Sequence, residues 1–129
     1  MKANELMIGD WVDFYHPYEP EKKFVTRHCV TDVFECGLVG ISNHPNPVHA
    51  DHIEPVKITP DILEKNGFAF MTGLWYLRTK EWKPIQIVFK DNNVITLSIN
   101  ATPVPIGLKY VHQLQHALRL YGIDKNIEL

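Results

Sequence analysis

The sequence predicts an α+β fold. A small curved β-sheet or barrel over residues 1–58 precedes a helix–three-strand–helix layer over residues 59–129, the two packed as one compact unit. Three observations carry this expectation. Short β-branched and aromatic runs, separated by Pro and Gly turns, fill the first part. Two alternating runs flank Asp91-Asn92-Asn93 in the second part, a hairpin signal. Two segments of helical periodicity end on one shared pattern, Leu-x-x-x-Gly-apolar.

In the first part, Leu6-Met7-Ile8-Gly9-Asp10-Trp11-Val12-Asp13-Phe14 reads as a turn followed by a strand. Gly9 allows the tight turn, and Trp11 or Val12 supplies a core side chain. An apolar residue, Gly-Asp, an aromatic and Val in this order resemble the first strand of SH3-like small barrels. His16 to Lys23 is a loop with two prolines and a charge run. Phe24 to Val33 is a second strand, or two joined by a bulge. Cys36-Gly37 marks a turn, Leu38 to Ile41 a short strand, Asn43 to Pro47 a loop, and Val48 to Ile53 a further strand.

In the second part, Thr59 is placed to cap a short helix, with Pro60 at its first position and Gly67 just past its end. Phe68 to Arg78 reads as one strand bent at Gly73. Ile85 to Lys90 and Val94 to Ile99 form the hairpin, with Ile95, Leu97 and Ile99 on the face turned to the core. Leu108 to Ile123 is the clearest helix, limited by Pro105 and Gly107 and stopped by Gly122. On a helical projection Tyr110, Val111, Leu114, Ala117, Leu118 and Tyr121 share one side. His112, His116 and Arg119 share a narrow arc on the other.

Composition bounds the function classes. The 129 residues are 45% hydrophobic and 22% charged with net charge −2, the balance of one ordinary globular domain or two very small ones. A net negative charge argues against binding to nucleic acid by charge alone. No apolar run approaches the roughly 20 residues needed to span a bilayer, and MKANELMIGDW has no apolar leader core. Cys29 and Cys36 make neither a disulfide framework nor a CxxC pair, so a reduced cytoplasmic protein is expected, with both cysteines as small buried apolar side chains.

Histidine is where metal chemistry has to be considered. His112 and His116 stand four apart, a spacing that lets two imidazoles reach one ion. The zinc-protease pattern needs Glu directly after the first His as general base, and Gln113 cannot take a proton. No third ligand is evident. His16, His28, His44, His49 and His52 lie in the first part, where His49, Asp51 and His52 are the tightest cluster, yet without a recognised ligand spacing. Neither metal nor cofactor is expected. Trp11, Phe14, Tyr15 and Tyr18 offer aromatic surface for a groove, with at least some of them in the core.

Three stretches, MKANELMIGDWV, ITPDILEKNGF and KYVHQLQHALRLYGI, resemble a family of small proteins found in gut Bacteroidales genomes, their phages and integrated elements. The matching positions are Lys2, Ala3, Glu5, Leu6, Ile8 and Gly9; Thr59, Pro60, Ile62, Leu63, Glu64, Gly67 and Phe68; and Val111, His112, Leu114 and Gln115. Met7 and Asp10 depart from the family's usual Arg and Asn. The resemblance implies an origin on a mobile element, carries no catalytic residues, and draws attention to His112 and Gln115.

The leading reading is a non-enzymatic binding or accessory module that contacts a protein partner or itself and no membrane. Its contact residues are expected to be His112, His116, Arg119, Trp11, Tyr15 and Tyr18. A nucleic-acid partner held by Lys22, Lys23 and Arg27 is the alternative. A metal-dependent enzyme built on His112 and His116 comes third.

Overall fold

The computed structural model describes residues 1–2, 5–16, 25–78, 84–90, 93–104, 108–123 and 125–129. The chain divides into two compact units, Met1–Val56 and Lys57–Leu129, each built on an antiparallel sheet.

The N-terminal unit contains β1 (Trp11–Tyr15), β2 (Val25–Val33), β3 (Leu38–Ile41), β4 (Val48–His49), a 3-10 turn (Ala50–His52) and β5 (Ile53–Pro55). Their order in the sheet is β4-β3-β2-β1-β5. Alternation along β1 sends Val12 and Phe14 inward, and leaves Trp11, Asp13 and Tyr15 on the outer face. Pairing puts Val12 opposite His28, and Phe14 opposite both Thr26 and Ile53. Val12, Phe14, Val30, Val39, Ile41, Val48 and Ile53 form the core, with Leu6 packed among them. Full burial of such a side chain contributes about 1.5–3 kcal/mol.

The lead-in to β1 is held by the Gly-Asp pair. Gly9 takes φ 93° and donates its N–H to the Val30 carbonyl. Asp10 is fully buried, and its carboxylate accepts the Met7 N–H at 2.7 Å. The bulge expected in the second strand lies between Val30 and Asp32. Opposite it, a Cβ on Gly40 would stand 2.9 Å from Thr31 Oγ1 and 3.1 Å from Asp32 Cβ, so the bulge admits only glycine there without a shift.

Two expectations change in this unit. The sheet is open: β4 and β5 are its edges, and among the described residues no ladder joins them into a barrel. Val48 to Ile53 is two short strands separated by the 3-10 turn, because Asp51 N–H turns back onto His49 Nδ1 at 3.2 Å and breaks the extended run.

The C-terminal unit runs α1 (Pro60–Lys65), β6 (Ala69–Met71), β7 (Leu74–Arg78), β8 (Pro84–Lys90), β9 (Asn93–Ile99), β10 (Thr102–Pro103) and α2 (Val111–Leu120). The sheet order is β10-β9-β8-β7-β6. Thr59 Oγ1 accepts the Ile62 N–H, as its sequence position predicts. Both helices close in the same way. Phe68 N–H reaches the Leu63 carbonyl at 3.0 Å and Ile123 N–H reaches that of Leu118 at 2.8 Å. Gly67 and Gly122 stand at φ 88° and 70°. This is the Schellman geometry, and Leu63, Phe68, Leu118 and Ile123 are all buried.

Five strands, where three were expected, lie between the helices. Phe68 to Arg78 folds back on itself as the hairpin β6–β7, with Met71 opposite Leu74 around Thr72-Gly73. Asn100-Ala101 turns β9 into β10 in the same manner. Both turns place two residues at positive φ, the type I′ arrangement that matches the strand twist. Neither carries the Asn-Gly or Asp-Gly pair that would announce it. Ile85, Ile87, Leu97 and Ile99 are buried on one face of the central hairpin, as the alternation predicts for Leu97 and Ile99, while the side chain of Ile95 lies outside the described residues. The turn residues Asp91 and Asn92 lie outside the described residues.

Candidate functional site

The helix α2 starts at Val111, later than Leu108. Gln113 explains the start. Its Oε1 accepts the N–H groups of Lys109 and Tyr110, at 2.8 and 3.0 Å. Lys109 and Tyr110 are further held in extended backbone by the Ile58 N–H on the Lys109 carbonyl and by the Lys57–Tyr110 bridge. The residue that stands where a zinc protease keeps its base is thus a helix cap, the reciprocal half of a capping box.

The arc expected to face solvent is divided. His112 is buried at 6% exposure, His116 is half-buried, and Arg119 is exposed. Val111, His112, Leu114, Gln115, Ala117 and Leu118 are all buried, and at about 100° per residue they cover more than half of the helix. The buried arc therefore extends past the apolar stripe to take in His112 and Gln115. The His112 ring stacks at 13° on Tyr110, 5.9 Å away, and meets His116 edge-on at 5.5 Å. A shared exposed face of His112, His116 and Arg119 is corrected accordingly: packing around the helix claims the first of the three.

The aromatic set divides as well. Trp11 and Tyr15 sit half-buried on the outer face of β1, and Phe14 is in the core. The Tyr15 hydroxyl bonds Glu54, and this bond, with partial desolvation and the Glu54 and Asp13 charges, raises its pKa above the ordinary value. Tyr18 lies outside the described residues, as do Lys22 and Lys23 of the expected basic edge. Arg27 Nε donates to Asp13 Oδ1 at 2.9 Å, so its charge is answered across the β1–β2 pair.

The structure brings together a set that local spacing could not. The C-terminal end of β1, the N-terminal end of β2, the loop after β3 and the 3-10 turn before β5 all meet at one end of the first sheet. His16 follows β1, His44 lies in the loop after β3, His49 ends β4 and His52 closes the 3-10 turn. With Phe14, Pro47 and Val48 they line a pocket of about 290 Å³. Phe14 is its floor, with His16 at 4.7 Å and His44 edge-on at 5.3 Å between ring centres. His49 also borders a larger depression of about 580 Å³ beside the first residues and the Val33–Gly37 turn.

Hydrogen bonds orient these rings. Behind the pocket, His28 is buried and its Nδ1 lies 2.5 Å from the Ser42 carbonyl, so Nδ1 carries a proton and donates it. In the neutral ring Nε2 accepts from the Thr26 hydroxyl at 2.6 Å. That hydroxyl has only one proton, so at 3.0 Å His16 Nε2–H is the donor to Thr26 Oγ1. His44 Nδ1–H donates to the Asn46 carbonyl at 2.7 Å, which leaves Nε2 as its acceptor. His49 Nδ1 accepts the Asp51 N–H, and forms an ion pair with the carboxylate of Asp51, 3.2 Å away, only when protonated. Among the described residues no group of three or more His, Cys, Asp or Glu side chains is arranged to hold a metal ion.

Fold and site together define a small α+β protein with two open antiparallel sheets and a histidine-walled pocket at one end of the first. No family model matches this sequence, and no curated protein and no solved structure is detectably similar to it. Among the described residues no helix is long and apolar enough to cross a membrane.

Proposed function

We propose that the chain is a non-enzymatic binding module and that the pocket around Phe14 is its contact site. The observation that carries this reading is the way the imidazoles are engaged. His28 and His44 bond backbone carbonyls, and His49 caps a turn. Such bonds orient rings that can donate and accept, on an apolar floor, which suits recognition of a small polar group on a partner. A nucleophile with a dedicated base and an oxyanion pocket is not what these bonds build. The sheet order, with a 3-10 turn before the last strand, supports an SH3-like descent for the N-terminal unit, in an open form. The sequence resemblance described above supports carriage by a phage or integrated element and action in the cytoplasm.

Ligand-observed NMR against a fragment library tests the pocket. Binders are expected whose signal is lost in His44→Ala and retained in His116→Ala. Turnover of hydrolase substrates on addition of zinc or manganese would overturn the reading.

A further inference from the structure

We infer that β6 is a self-pairing edge, through which two copies of the chain join their C-terminal sheets across a two-fold axis. Native sheets blunt their edges with short strands, Pro or charge. All four edges described here are short, β6 among them with three residues, and the other three are either shorter still or carry Pro. β4 has two residues, β5 ends in Pro55, and β10 contains Pro103. β6, Ala69-Phe70-Met71, has no charge and no Pro, and all three residues are exposed. Phe70 is 61% exposed and Met71 55%.

The register specifies what this edge offers. In a hairpin with a two-residue turn the closing pair exchanges both hydrogen bonds, and hydrogen-bonded and non-bonded pairs then alternate. Met71↔Leu74 closes the turn, so Ala69↔Tyr76 is also a bonded pair and Phe70↔Trp75 is not. The Phe70 N–H and C=O therefore point away from β7. Phe68 N–H, the next outward donor along the chain, is already held by the Leu63 carbonyl. One residue thus presents one donor and one acceptor.

That pattern is complementary to itself. Antiparallel pairing about Phe70 lets the two copies of this residue exchange both backbone bonds. It sets Ala69 of each chain against Met71 of the other, small against large. The Phe70 ring already lies 5.4 Å from that of Trp75. The dyad would extend this pair into a row of four rings, Trp75-Phe70-Phe70-Trp75, on one face. The paired segment is short, so the association belongs with small, weak interfaces. This inference concerns the C-terminal unit and is independent of the pocket around Phe14.

Sedimentation velocity on the full chain tests it. The mass is expected to rise from 14.9 kDa towards twice that value as concentration approaches about 1 mM. Phe70→Lys and Phe70→Pro should both hold the chain at the single mass with unchanged circular dichroism, since Pro removes only the outward N–H. In a chain carrying Cys29→Ala and Cys36→Ser, Phe70→Cys should form a disulfide-linked dimer several-fold faster than Met71→Cys. Opposed bonded residues stand about 5.5 Å apart between Cα atoms, within disulfide reach. A chain that stays single at all concentrations, or a dimer indifferent to Phe70→Lys, would overturn the inference. So would a single-mass chain that co-sediments with phosphatidylcholine vesicles through Phe70, which would assign this edge to a lipid surface.

Discussion

Cys29 and Cys36 stand seven positions apart and differ in environment. Cys36 is exposed, whereas Cys29 is half-buried on β2, its N–H bonded to Ser42 Oγ at 3.0 Å. Burial raises the Cys29 thiol above its ordinary value of 9.0, and the Asp10 carboxylate adds to that shift. Iodoacetamide at about pH 8 should therefore alkylate Cys36 well before Cys29, and urea should abolish the difference. Equal rates in the folded chain would contradict this account. The same shift favours the protonated thiol in the folded state. Its stabilisation is complete below the unfolded-state value and is lost as pH rises through the folded one, so it disappears only in alkali. The sequence reading of both cysteines as small buried apolar residues is corrected here, since Cys36 is exposed and Cys29 only half-buried. The shift depends first on burial within the sheet and then on Asp10, which β-pairing brings near through the Val30 N–H on its carbonyl.

At the scale of elements, the two type I′ turns carry residues ill-suited to them. Thr72 at φ 49° is β-branched, and Ala101 at φ 63° has a Cβ where Gly would have none. A left-handed conformation costs an L-residue about 1–2 kcal/mol, against which glycine loses about 0.5–1 kcal/mol of unfolded-state entropy. Ala101→Gly should stabilise the C-terminal unit by about 0.5–1 kcal/mol. Thr72→Asn should act in the same direction, and a raised urea midpoint is the measurement. A lowered midpoint in both would show that the turns are not type I′. The mismatch also explains why Phe68 to Arg78 reads as one strand. Apolar and aromatic residues run almost unbroken through it, and the signal for a turn there is a single glycine. The helix ends, by contrast, are fully legible, because a Schellman end is made by residues within one turn of each other.

At the scale of the whole chain, one buried side chain reaches from the end of α1 to the C-terminal residues. Asn66, 4% exposed, donates from Nδ2 to the Ile62 and Glu128 carbonyls, and its Oδ1 accepts the Glu128 N–H at 2.7 Å. Asn66→Ala should cost about 1–3 kcal/mol and release the Glu128 amide to fast hydrogen exchange. Unchanged exchange at Glu128 would show that buried Ile127 alone holds the tail. This 62-residue link joins the end of α1 to the chain terminus, and no local pattern announces it. The candidate site has the same character. The sequence by itself determined the α+β class, the C-terminal ends of both helices and the central hairpin, since each rests on forces acting within a few residues. Only the tertiary structure decided that His112 and Gln115 are buried, that the first sheet stays open, and that His16, His44, His49 and His52 meet around Phe14. Those outcomes depend on which strands pair and on what covers each face, and long-range packing settles both.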